Sequence, residues 1–94
     1  MEAKLIIHDL TKLNHYQKVL FNREVYGYID NSNNNSYQYE RKGMLSQIPH
    51  FRLMKSAIVI KKEDISKIKS IFNKHHVKYE VYTIFIEKYK LRKA

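Results

Sequence analysis

Residues 55–86, KSAIVIKKEDISKIKSIFNKHHVKYEVYTIFI, decide the fold. Ala57 to Ile60 form a continuous apolar run between lysines, which predicts a buried strand over 55–61. Glu63 and Asp64 follow, acidic residues suited to the positive end of a helix. Ile65, Ile68, Ile71, Phe72 and His75 then recur on one helical stripe. Lys74, His75 and His76 sit near the close of that helix with the sign its C-terminus favours. Val77 to Ile86 predicts a long fourth strand. Val77, Tyr79, Val81 and Phe85 point one way along it, and Tyr82, Ile84 and Ile86 the other. A sheet with one solvated face shows cleaner alternation than this. Either another part of the chain covers the second face or a partner does, and a homodimer through sheet or edge is one such arrangement.

Outward from this half, residues 4–10, KLIIHDL, predict a buried first strand. Asn14 and Gln17 have the spacing of a capping box. Leu13, Tyr16, Val19, Leu20 and Arg23 continue at helical spacing, so a helix is expected over 14–26, with Gly27 as its stop. Residues 30–36, DNSNNNS, read as a polar loop. Tyr37, Tyr39 and Arg41 alternate with Gln38, Glu40 and Lys42, which predicts a second strand that Gly43 ends. Residues 44–54, MLSQIPHFRLM, read as a long hairpin loop with one helical turn, because Pro49 forbids an uninterrupted central strand.

The predicted order is β-α-β-β-α-β. It implies an α+β, ferredoxin-like (split β-α-β) fold: a four-stranded antiparallel sheet with two helices on one face. Ninety-four residues make one domain, 1–94, with the 30–36 loop and a basic tail at 88–94.

Composition narrows the function. Two glycines and one proline exclude collagen-like and linker chains. No apolar run is long enough to span a membrane. The opening MEAKLIIHDL has an acidic second residue and too short an apolar run for a signal peptide. With no cysteine there is no disulfide framework and no thiolate zinc site, and the expected compartment is the cytoplasm. His8, His15, His50, His75 and His76 show no i,i+4 pair, so no metal site is assigned. No phosphate-binding glycine loop or nucleophile elbow is spelled, and no cofactor is expected.

The net charge is +9, and it is unevenly placed. Residues 1–36 are neutral, 37–60 carry +3, and 61–94 carry +6. Localised positive charge points to a polyanion-binding face. Tyr37 and Tyr39 beside Arg41 supply rings that stack on unpaired bases and a cation for the phosphate next to them. Lys42, His50, Phe51, Arg52 and Lys55 bracket the 44–54 loop, whose tip would contact phosphate while Phe51 stacks or wedges. Lys61 and Lys62 follow the third strand, and Lys88, Lys90, Arg92 and Lys93 give the tail four cations in a short span. Such tails neutralise phosphates without sequence preference.

Small, basic, cysteine-free, tyrosine-rich chains of this element order resemble the accessory and ribosomal proteins of archaea. That resemblance is to a class, and it implies a non-catalytic protein that grips structured RNA, ribosomal RNA included. DNA stays open as a partner, since phosphate contacts do not distinguish the two. The segment LIIHDLT also resembles the first-strand motif of the small CRISPR-adaptation nucleases, an apolar run followed by tyrosine, aspartate and an apolar residue. His8 stands at the tyrosine position, and the long 44–54 segment and extended fourth strand depart from that family. The resemblance implies a dimeric metal-dependent nuclease or integration subunit with Asp9 as its acid. Without it, Asp9 reads as an Asx turn joining strand to helix.

Overall fold

A computed structural model describes residues 1–32, 37–87 and 90–92. Strand β1 spans Glu2–Asp9, helix α1 His15–Tyr26, β2 Gly27–Ser32, β3 Tyr37–Lys42, β4 His50–Met54, β5 Ala57–Lys61, helix α2 Ile65–Lys74 and β6 Lys78–Phe85. Single 3-10 turns lie at Met44–Gln47 and Lys62–Asp64. The fold is α+β. Its main sheet has four strands in the order β4-β5-β1-β6, every neighbouring pair antiparallel. A separate two-stranded sheet joins β2 to β3.

Alternation in the strands sets the core. Ile6 and Ile58 are direct cross-strand partners, and Ile60 lies two residues on, so all three face the same way. Phe21 and Val25 of α1 and Ile68 and Phe72 of α2 close over them, and all seven are fully buried. Burying each such side chain contributes about 1.5–3 kcal/mol. Leu45 and Ile48, from the segment before β4, extend the same core.

Local signals place the helices. The Asn14 side chain accepts the Gln17 backbone N–H at 2.8 Å, and the Gln17 side chain accepts the Asn14 N–H at 2.9 Å, a complete capping box. At the far end of α2, the His76 N–H donates to the Asn73 carbonyl at 3.1 Å and the Val77 N–H to the Phe72 carbonyl at 2.9 Å. This is a Schellman ending with His76, φ 57°, in the left-handed position usually given to glycine.

Gly27 does more than stop α1. Its φ of 84° and ψ of −178° belong to a region that is nearly glycine-only, and from there the chain leaves directly as β2. A Cβ on Gly27 would collide with the Arg41 carbonyl, and one on Gly43 with the backbone of Gly27 and Val25. The two glycines thus form the base of a hairpin whose strands touch at the point of entry and exit.

This hairpin corrects the expected pairing. Tyr37–Lys42 is a strand, but it pairs with Gly27–Ser32 and stands outside the main sheet. The sheet's second strand is instead His50–Met54, inside the segment expected to be a loop. Pro49 precedes that strand, so its missing N–H removes no ladder bond. Of the expected 30–36 loop, Asp30 to Ser32 lie in β2, and 33–36 fall outside the described residues. All six residues of β3 are exposed. The molecule measures 46 × 31 × 20 Å, with a radius of gyration of 14.4 Å. A compact chain of this length would have about 12–13 Å.

The sheet's second face is partly covered. Ala3 and Val59 are buried there, while Ile7, Phe51, Leu53 and Tyr82 stay exposed. The Met1 amine donates to the Ile86 carbonyl at 2.6 Å and Ile86 donates back at 3.0 Å, which carries the β1–β6 ladder one step further. Arg92 exchanges backbone hydrogen bonds with His50 at 2.9 and 3.2 Å, at the β4 edge. The described end of the tail is therefore tied to the β4 edge of the sheet.

Candidate nucleic-acid interface

Arg52 is the centre of the site. It lies on β4 opposite Ile58, on the helix side of an edge strand. The register slips between Arg52 and Met54, a bulge that ends regular pairing beside it. The guanidinium lies over the Tyr26 ring, 3.9 Å from its centroid, and donates through Nη2 to the Lys55 carbonyl at 3.0 Å. These contacts hold a planar, permanently charged fork in one orientation and leave further donors free for an anion.

Behind it sits His8, 5% exposed, at the end of β1. Its ring packs against Phe21 and Phe72 at 5.6 and 5.2 Å between centroids. The Tyr26 hydroxyl is 3.5 Å from Nε2, and the buried Nδ1 has no hydrogen-bond partner among the described residues. Burial, and secondarily the Arg52 charge, push the imidazole below its ordinary pKa. His8 is therefore neutral near pH 7.

Two depressions meet at Arg52. The first, about 530 Å³, is lined by His8, Asp9, Thr11, Lys18, Asn22, Lys55 and Ser56 as well as Arg52. The second, about 360 Å³, is lined by Tyr26, Glu40, Lys42, Ser46 and His50 as well as Arg52. Together they form a groove between α1 and the β4 edge. It starts at the β4–β5 turn and ends at His50, where the Arg92 backbone pairs.

Of the residues expected from sequence, Lys42, His50, Arg52 and Lys55 come together along this groove. Tyr37, Tyr39 and Arg41 do share a face, but it is the opposite face of the hairpin from Glu40 and Lys42. There Tyr37 and Tyr39 stack at 6.5 Å with 24° between planes, roughly half exposed. Arg41 lies 5.6 Å over Tyr39 and pairs with Asp30 at 3.2 Å. Tyr28 belongs to the same face, and Arg23 of α1 lies 4.4 Å over its ring.

The other expected residues are scattered. Phe51 alternates away from His50 and Arg52 onto the second face of the sheet, where it lines an apolar depression with Leu53, Val59, Ile84 and Lys90. It is not at a loop tip. Lys61 ends β5, and Lys62 follows it 3.8 Å from the Glu2 carboxylate. Lys88 and Lys93 fall outside the described residues.

Sequence reasoning missed Lys18, Asn22, Thr11, Ser56 and His8 in the cleft, and Tyr28 and Arg23 on the hairpin face. Lys18 and Asn22 are four apart on α1, a spacing that puts both on one side. Only the position of β4 gives that side a partner.

Asp9 makes the expected Asx turn: its Oδ1 accepts the Thr11 backbone N–H at 2.9 Å. That hydrogen bond, the Thr11 side chain and the nearby Lys78 and Lys12 charges hold its carboxyl below the usual carboxylate range. Among the described residues no three of His, Cys, Asp and Glu come together as metal ligands. No described helix is long and apolar enough to cross a membrane.

Compared with known proteins, the chain matches no protein-family model, no curated protein and no solved structure.

Proposed function

We propose that the chain is a non-catalytic RNA-binding protein that grips its target mainly through phosphate contacts. The observation that carries this is the basic groove along the β4 edge, with Lys18 and Lys55 at one end, Arg52 fixed at its centre, and Lys42 and His50 at the other. A groove of spaced cations suits a chain of phosphates better than one small anion. The stacked Tyr37–Tyr39 pair on the outer face of the hairpin supports RNA over a purely electrostatic partner, since exposed rings stack on unpaired bases. Structured RNA, ribosomal RNA among it, offers both phosphate tracks and splayed bases.

The element order supports a finer reading of the fold. With β2 and β3 set aside, the chain runs β-α-β-β-α-β, and the first strand lies between the third and fourth. We read it as the ferredoxin-like arrangement with a hairpin inserted after α1.

The test is a titration of an RNA stem-loop at several salt concentrations, with a DNA duplex in parallel. Affinity should fall steeply with salt. Arg52→Gln and Lys42→Gln should each weaken binding and lower the slope of log K against log salt by about one. No binding at low salt overturns the proposal. Equal binding of both nucleic acids removes the preference for RNA. Divalent-metal-dependent cleavage that Asp9→Ala abolishes replaces the proposal with a nuclease.

A further inference from the structure

The cleft at the β1 end of the groove is built differently from the rest. Three cations reach it from three elements: Lys18 from α1, Arg52 from β4 and Lys55 from the β4–β5 turn. Thr11, Asn22 and Ser56 add uncharged polar side chains. Asp9 is the single acidic residue among the lining groups, and its Oδ1 already accepts the Thr11 N–H. The cleft is thus net positive by two charges. His8, nine-tenths buried, lines one side, and its Nδ1 finds no partner among the described residues. Buried polar atoms without partners are rare and mark strain, a missing water or a ligand. The track that runs past Arg52 reaches the end of β1 here.

We infer that this cleft binds the terminal phosphate of an RNA strand, a phosphomonoester, while the following nucleotides run past Arg52 along the second depression. The inference rests on the RNA-binding reading above. Its further content is charge and shape. A terminal monoester carries close to two negative charges near neutral pH, which matches the cleft. An internal diester carries only one, half of the cleft's excess. A volume of about 530 Å³ lies within the range of about 300–1,000 Å³ typical of small-ligand sites. The Arg52 fork offers the bidentate geometry that phosphate oxygens accept.

One short single-stranded RNA, prepared with a 5′-phosphate, with a 3′-phosphate and with neither, provides the test by fluorescence anisotropy. One phosphorylated form should bind about tenfold tighter than the unphosphorylated oligonucleotide, equivalent to about 1.4 kcal/mol, and the arm that does so names the end. In the double variant Lys18→Gln, Lys55→Gln, whose altered side chains lie outside the core, that ratio should fall towards one, whatever happens to the unphosphorylated oligonucleotide. Equal affinity of all three forms overturns this inference and leaves general RNA binding standing. Absence of binding by all three overturns both. A preference undiminished in the double variant overturns the assignment to this cleft.

Discussion

A buried imidazole nitrogen without a partner costs stability, and Nδ1 of His8 is such an atom. Its Nδ1 is buried without a partner among the described residues, and an unsatisfied buried polar atom costs about 1–3 kcal/mol. The pH dependence follows from the lowered pKa. In the unfolded chain His8 takes a proton below about pH 6.5, and in the folded chain it resists until lower pH. The stabilising preference for neutral His8 is thus complete above about pH 6.5 and is lost as pH falls towards the folded value. Chemical denaturation should show the protein weakening from pH 7 to pH 5. His8→Leu should remove this part of the dependence and leave the protein about 1 kcal/mol more stable at pH 7. A His8→Leu variant with the wild-type pH profile would assign the dependence elsewhere. Glu24 acts lower on the scale. Its Oε1 is 2.7 Å from His75 Nε2 and 3.0 Å from Lys74 Nζ, and the His75 hydrogen bond in the first place holds its carboxyl below the usual range. That contribution is present above the ordinary carboxylate pKa and is lost on acidification below it.

Among the elements, α2 ends on a residue chosen against its backbone. His76 occupies the left-handed position of the Schellman ending, where a side chain other than glycine is strained. His76→Gly should raise stability by about 0.5–1 kcal/mol, visible as a higher Tm. The opposite change belongs at α1: Asn14→Ala removes the hub of its capping box and should cost about 1 kcal/mol. These two helix ends show how far the elements were legible. The Asn14–Gln17 spacing is a local signal, and the structure has the box the sequence spells. β5, α2 and β6 also follow their own apolar periods. The hairpin does not yield to the same reasoning. The alternation Tyr37–Lys42 correctly predicts a strand, but alternation says nothing about which strand it joins. That choice lies in Gly27, whose conformation turns α1 straight into β2. β4 was hidden for a different reason. HFRLM does alternate, yet its polar members, His50 and Arg52, point to the helix side, and Phe51 and Leu53 to the second face. A strand whose inner side carries an arginine resting on Tyr26 inverts the usual pattern, and Pro49 beside it reads as a loop.

For the whole molecule, the candidate site depends on contacts distant in sequence. The cleft needs β1, α1, β4 and the β4–β5 turn at once, so Lys18 and Asn22 had no visible partner in the chain. The charge map was legible as an excess after residue 36, but its use was not. Lys18 comes from the neutral block, and Phe51 lies away from the cations beside it in sequence. The three-dimensional arrangement divides the basic residues between a groove, a hairpin face and the ends of the sheet. RNA binding should follow that division. Substituting groove cations should weaken binding and flatten its salt dependence, whereas substituting Tyr37 and Tyr39 should weaken binding and leave the salt slope nearly unchanged, because stacking releases few counterions.

The paired glycines at the foot of the hairpin carry one more consequence. Chain enters and leaves at the same place, Gly27 against Gly43, which makes the β2–β3 hairpin a candidate cassette even though Lys42 lines the groove and Tyr28 meets Arg23. Joining Gly27 directly to Gly43 should leave the four-stranded body folded with a cooperative thermal transition. A deletion that abolishes folding would show the cassette to be part of the frame. If it is a cassette, this junction is where a foreign loop or recognition segment can be grafted while the body stays the same.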